Sequence, residues 1–299
     1  TCQDWCAMKS LTSESTFRSR LDRARAEMAR TGVDALILSL GHDLPYLTGY
    51  LAMPLERLTL LVVPRDGEAS LIIPRLEAPR VTEMPSVFSL ATWNETDDPV
   101  ALAHKLLGAA RTIAVGDQMW SRFLVDLLKF RPDAKYVRSV VVMEALRSRK
   151  DAAEIAALVA AGAEAERVAA QLHAGDIPLV GRTEAQVSAD ISARLLAEGH
   201  QVVNFAIVAA GENAASPHHH AGDRVIKHGE IVLCDFGGTM NDYCSDITRC
   251  VHIGEPPSDI AEAYSVLFES QAAGVAAGII GSSCAGVDAA SRGVIDAAG

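Results

Sequence analysis

Apolar residues recur at Phe17, Leu21, Ala24 and Met28, a spacing of 4, 3 and 4 that lines one face of a helix ending near Gly32. Residues 34–40 then read as a strand. Two more strands, at 58–63 and 70–73, flank an Arg65-Asp66-Gly67 turn. Further strands are predicted at 112–115 and 136–143, with helical stretches at 100–107 and 123–130. Mixed periods of this kind predict an α/β domain. Residues 1–13 carry no periodic pattern and stand outside the fold reading, with Met8 a candidate natural start.

The pattern changes near Arg147-Ser148-Arg149-Lys150, a charged linker, so domains are expected at 14–148 and 149–299. Asp151-Ala152-Ala153-Glu154 is a capping box that opens a long helix with Ile155, Leu158, Val159, Val168 and Leu172 on its apolar side. A second capping box, Thr183-Glu184-Ala185-Gln186, opens a helix whose buried stripe is Val187, Ile191 and Leu195. Strands are predicted at 202–209 and 224–226. Helices at 258–277 and 287–298 are rich in Ala and Gly, which suits close packing on a sheet. No solenoid-type repeat or low-complexity tract interrupts this order.

Between 229 and 254 two β-rich runs flank Gly237-Gly238-Thr239-Met240-Asn241-Asp242, and each run carries one aspartate. A loop centred between Met240 and Asn241 sets Asp235 directly opposite Asp246. Directly opposed residues have Cβ atoms about 4.5–5.5 Å apart, close enough to serve metal ions about 3.5–4 Å apart. Opposed like charges in an apolar hairpin are costly unless a cation or a proton compensates them. The spacing alone leaves a second option, in which Asp235 ends a strand and accepts turn hydrogen bonds while Asp246 is solvated.

Composition narrows the function classes. The 299 residues are 49% hydrophobic with a net charge of -11, enough apolar content for two cores. That charge argues against nucleic-acid or anionic-membrane partners, which require excess Lys and Arg. No apolar run reaches the roughly 18 residues of a membrane span, and no signal-like segment opens the chain, so a cytoplasmic location is expected. Six cysteines at 2, 6, 234, 244, 250 and 284 form neither a Cys-x-x-Cys pair nor a dense disulfide framework. They read as reduced thiols, with Cys234, Cys244 and Cys250 as small buried hydrophobes. Cys244 shares strand parity with Asp246, but packing is the favoured role over ligation.

Residues 233–238, followed by Tyr243-Cys244-Ser245-Asp246-Ile247-Thr248-Arg249, resemble the paired-Asp signature of the pita-bread metallopeptidases, the family of aminopeptidase P, prolidase and methionine aminopeptidase, which also contains creatinase. Gly211-Glu212-Asn213-Ala214-Ala215-Ser216-Pro217-His218 is similar to that family's Asn-x-x-x-Pro-His loop. Gly32-Val33-Asp34-Ala35-Leu36 and Tyr46-Leu47-Thr48-Gly49-Tyr50 resemble the lead-in domain of its prolidase and aminopeptidase P branch. The resemblance runs from about residue 17 to the end. It implies a creatinase-like N-terminal α/β domain followed by an incomplete pita-bread catalytic domain, an α/β (α+β) chain overall.

The same resemblance implies a metal-dependent exopeptidase that hydrolyses Xaa-Pro bonds in proline-containing di- or oligopeptides, working as a homodimer with two divalent ions (Mn²⁺, Co²⁺ or Zn²⁺). Asp235 and Asp246 take the place of metal ligands. His218, directly after Pro217, takes that of the substrate-binding histidine. Three consecutive histidines on extended backbone cannot all face one point, so His219 and His220 are the weaker candidates, and a polar loop with incidental histidines is the plain alternative. In the family a further His ligand and two Glu ligands follow the last helix seen here, and none has a candidate. The chain is therefore expected to be a truncated member, inactive or impaired, with weak or absent metal occupancy. Two other readings remain, a metal-free creatinase-like amidinohydrolase and a non-catalytic peptide-binding or scaffold member of the fold.

Overall fold

The computed structural model describes residues 12–299, so Met8 and most of the patternless segment lie outside the described residues. The chain divides into two units between Ile155 and Ala156.

In the first unit, α1 (Glu14–Thr31) starts where the Ser13 hydroxyl accepts from the Thr16 amide and stops at Gly32, whose φ of 70° suits a residue without Cβ. Its buried side is Phe17, Leu21, Ala24 and Met28, the stripe the spacing predicts. The strands are β1 (Ala35–Leu38), β2 (Leu60–Pro64), β3 (Ser70–Pro74), β4 (Ser89–Trp93), β5 (Thr112–Val115) and β6 (Lys135–Arg138), in the order β4-β3-β2-β1-β5-β6. β2 is antiparallel to both neighbours, and the other pairings are parallel. One face packs on α1, α2 (Asp43–Thr48) and α5 (Val140–Arg147); the other packs on α3 (Pro99–Leu106) and α4 (Ser121–Phe130). Trp93 is buried in the second of these cores, and its indole N–H donates to the Leu58 carbonyl at 3.0 Å.

The strand expected over 136–143 is corrected here. β6 ends at Arg138, and residues 140–143 belong to α5, whose Val142, Met143 and Leu146 are buried together. A β-branched Val-Val-Val run favours a strand locally, but burial of one helical stripe decides the outcome. α2 and β4 were not anticipated by the pattern.

α6 (Ala152–Ala174) opens with the predicted reciprocal cap: the Glu154 amide donates to the Asp151 carboxylate and the Asp151 amide to the Glu154 carboxylate. Its buried apolar positions are Ala161, Ala165, Val168, Ala169 and Leu172, whereas Ile155 and Val159 are exposed, against expectation. In the second unit α7 (Glu184–Ala197) carries the Thr183/Gln186 capping box and buries Val187, Ile191 and Leu195. β7 (Val202–Ala210), β8 (Ile231–Met240), β9 (Tyr243–Cys244) and β10 (Ile247–His252) form an antiparallel sheet in the order β10-β8-β7, with β9 beside β8. Val208, Ala210, Val232, Cys234 and Phe236 form a core with α6 and α7 on one face only.

Residues 224–226 make a single bridge from Val225 to Thr183, not a strand. α8 (Ser258–Ala277) and α9 (Cys284–Ala298) pack on each other, with Ser270 and Ser291 each donating its hydroxyl to the other's carbonyl at 2.8 Å. The expected packing of this pair on a sheet is not seen: Leu267, Phe268, Val275 and Ile279 are exposed. Among the described residues no helix is long and apolar enough to cross a membrane.

Candidate functional site

The hairpin turns at Asn241 and Asp242, with φ of 51° and 68°. Two consecutive left-handed residues are the signature of a two-residue type I′ turn, whose twist matches that of the strands it joins. β8 therefore continues through Gly237 and Gly238 to Met240, and the pairing is shifted by one residue on each strand from the expected one. Asp235 lies opposite Thr248, not Asp246. The Thr248 hydroxyl donates to the Asp235 carboxylate at 2.9 Å.

Asp246 lies in the short break between β9 and β10, two positions before Thr248 and thus of the same parity. The two aspartates are diagonal neighbours, a relation that separates positions by about 7–8 Å. Their shared face is the one turned away from α6 and α7, because Val232, Cys234 and Phe236 occupy the inner face. Asp246 is exposed and Asp235 half-buried. Two carboxylates on one open face suit a hard divalent cation chemically, since such ions take oxygen donors. Among the described residues no group of three or more His, Cys, Asp and Glu is placed to hold a metal ion. Two carboxylates are the right donor type for such an ion but are not by themselves a full ligand set.

Beneath Asp246, on the helix side of the sheet, runs a buried polar link. His200, at the end of α7, is 3% exposed and Ser245 is 5% exposed. The His200 Nε2 lies 2.8 Å from the Ser245 Oγ, and its Nδ1 lies 3.2 Å from the Leu195 carbonyl. A carbonyl only accepts, so Nδ1 carries the proton and Ser245 donates to Nε2. Burial holds this imidazole below its ordinary pKa, in keeping with the neutral tautomer. Gly238 donates its amide to the Ser245 Oγ, and the Ser245 amide donates to the Gly238 carbonyl at 2.9 Å. The two glycines make room for this link. A methyl on residue 237 would overlap the Ser245 carbonyl, and one on residue 238 would lie 2.7 Å from the His200 ring.

β7 ends at Ala210, and a 3-10 turn (Gly211–Ala215) leads to Pro217 and His218. His218 is exposed with φ of 54°, a left-handed conformation uncommon outside glycine. His219 turns inward: its Nε2 lies 2.8 Å from the carboxylate of Glu184, which is 0% exposed. The same carboxylate accepts from the Ala210 amide and the Asn213 side chain, both at 2.9 Å, and from the Gly222 amide at 3.4 Å. Burial alone would raise the Glu184 pKa, but these donors together outweigh it and the net shift is downward. Glu184 thus ties β7, the Asn213 turn, the His219 side chain and the Gly222 amide to one buried anion. Sequence reasoning saw Glu184 only as the interior of a capping box; partners 26 to 38 residues away leave no local signal.

Arg224 braces the loop from outside, bonding both oxygens of Glu230 at 2.7 and 3.0 Å and Glu212 at 2.8 Å. The guanidinium holds the Glu230 carboxyl down at about 2. Of the thiols expected to be buried, Cys234 is buried and its pKa is pushed up to about 12 by desolvation, which makes it inert. Cys250 is half-buried. Cys244 is exposed, with the Asn204 amide 3.5 Å from its sulfur, and so is no core residue.

Family models match both halves: the creatinase/prolidase N-terminal domain over residues 20–149 and metallopeptidase family M24 over residues 148–299. The chain is 40% identical over 291 residues to a probable dipeptidase PepE of Mycobacterium tuberculosis, covering 95% of this chain and 76% of that protein. The crystal structure of dipeptidase PepE from Mycobacterium ulcerans superposes with a TM-score of 0.89 at 39% identity, covering 96% of this chain and 78% of that one. A recombinant prolidase from Thermococcus sibiricus gives a TM-score of 0.86 at 26% identity, covering 94% and 78%.

Proposed function

Because the chain belongs to metallopeptidase family M24, we propose that it is a divalent-metal-dependent exopeptidase of Xaa-Pro dipeptides or short peptides, with Asp235 and Asp246 as metal donors and His218 as the substrate-facing histidine. The observation that carries the reading is the placement of both aspartates on the open face of the β8–β10 hairpin. When bound, divalent ions lower the pKa of water and supply a nucleophile at neutral pH. The Thr248 hydroxyl donates to one oxygen of the Asp235 carboxylate, and the reading gives the other oxygen to a cation. His218, exposed at the end of a loop anchored by Glu184 and His219, is available to donate to the scissile carbonyl as negative charge develops on it.

Two carboxylates alone hold a hard divalent ion weakly, since ligand number sets affinity. The reading therefore includes poor metal retention and impaired activity for the 299-residue chain by itself. It also includes a cytoplasmic homodimer and the use of Mn²⁺, Co²⁺ or Zn²⁺. The test is hydrolysis of Xaa-Pro dipeptides by the protein with each ion added, against non-proline dipeptides and creatine. Slow cleavage of proline peptides that rises with added metal, is lost in Asp235→Ala and Asp246→Ala, and is lowered about 10²–10³-fold in kcat in His218→Ala, supports it. Cleavage of non-proline dipeptides alone removes the proline preference. Hydrolysis of creatine without added metal replaces the reading with a creatinase-like one.

A further inference from the structure

Ser245 and His200 look at first like a nucleophile and its base, but both are buried on the helix side of the sheet, where no substrate reaches them. Their position suggests a different use. Ser245 immediately precedes Asp246, in the break between β9 and β10. A carboxylate on irregular backbone is placed only as well as that backbone is held. Here the holding is done from below: the Ser245 hydroxyl donates to His200 and accepts from the Gly238 amide, and the Ser245 amide donates to the Gly238 carbonyl. His200 is itself fixed by the Leu195 carbonyl at the end of α7. Gly237 and Gly238 are the residues that let Ser245 and the imidazole come this close.

We propose that His200 and Ser245 are a buried positioning pair that sets the backbone at residues 245–246 and so stands the Asp246 carboxylate beside Asp235 on the open face. The strand break then acts as a mount fixed to α7. The pair touches neither substrate nor cation. The inference rests on the reading of Asp246 as a metal donor for its purpose, but not for its geometry. Partners behind a metal ligand change affinity by about 10- to 100-fold when removed.

The test uses the full 299-residue chain. Ser245→Ala removes the hydroxyl, His200→Phe keeps the ring volume without its nitrogens, and His200→Gln restores an acceptor near the Nε2 position. Amide hydrogen exchange reads the backbone, and Mn²⁺ titration followed by electron paramagnetic resonance reads the site. Expected are exchange at residues 245–247 faster by about tenfold or more in Ser245→Ala and His200→Phe, with Val232 and Cys234 unchanged, and return toward the original rate in His200→Gln. Mn²⁺ affinity is expected to fall about 10- to 100-fold in the first two variants and to recover in the third. Unchanged exchange at 245–247 overturns the proposal, as does altered exchange with unaltered Mn²⁺ affinity. If the unmodified chain binds no Mn²⁺, the metal reading of Asp246 fails, and the exchange rates alone uphold or overturn the positioning pair.

Discussion

β1 and β8 each lie inside their own sheet, yet they are built on opposite terms. In β1 every residue is buried: Leu36 and Leu38 enter one core, and Ala35 and Ile37 enter the other. Helices cover both faces of that sheet, as is usual where parallel pairings dominate, and the strand reads as an unbroken apolar run. In β8 burial alternates. Val232, Cys234 and Phe236 are 0% exposed, while Ile231, Leu233 and Asp235 are half-buried on the other side. A sheet with both faces filled leaves only its strand ends for polar groups, whereas a sheet covered on one face can carry carboxylates on the other at little cost. The difference gives the second unit, unlike the first, an open sheet face that can carry polar side chains.

The contrast can be broken most directly by removing side-chain volume. Ile37→Ala should cost about 2–5 kcal/mol in urea denaturation, whereas Leu233→Ala, on the open face of β8, should cost well under half as much. Equal losses would mean that the open face is covered in solution. Glu184 tests the buried side of the second unit. Glu184→Ala strands the Ala210 and Gly222 amides and the Asn213 and His219 side chains, with an expected loss of about 1.5–3 kcal/mol by thermal denaturation. A cost near zero would show that water replaces the carboxylate.

A smaller effect belongs to acid. Arg224 lowers the Glu230 pKa from 4.5 to about 2 in the folded chain. A depressed carboxylate stabilises the fold above its unfolded pKa and loses that contribution as pH falls, here between about 4.5 and about 2. With partial exposure at the surface the contribution is about 1 kcal/mol or less, and it should vanish from the pH–stability curve of Arg224→Gln. The smallest effect should come from Thr248→Val, which removes an exposed hydrogen bond from Asp235 and should cost under about 1 kcal/mol in urea denaturation.

Much of this architecture is written locally. The 4-3-4 spacing of α1, both capping boxes and the helix at 258–277 each depend on residues within a few positions of one another, and each appears where the pattern puts it. The hairpin register was also legible, but in a different dipeptide from the one that draws the eye. Gly237-Gly238 has turn composition, yet these glycines sit inside β8, where the Ser245 and Val202 carbonyls and the His200 ring leave no room for a Cβ, and Asn241-Asp242 makes the turn. That displacement moved Asp246 from opposite Asp235 to a diagonal position. Residues 140–143 failed for a different reason: a β-branched run was overruled by the core beneath α5. The links from Glu184 to His219 and from His200 to Ser245 join residues 35 and 45 positions apart, and nothing local announces them.

The burial of Trp93 against the Leu58 carbonyl has an optical consequence. The three tryptophans, Trp5, Trp93 and Trp120, all precede residue 155, and the second unit contains none. Emission excited at the red edge of indole absorption therefore comes from residues before 155, Trp93 and Trp120 among the described ones, while the aspartate hairpin is dark. A tryptophan placed at an exposed position such as Phe268 would give the second unit its own signal. The two halves could then be watched separately as they unfold.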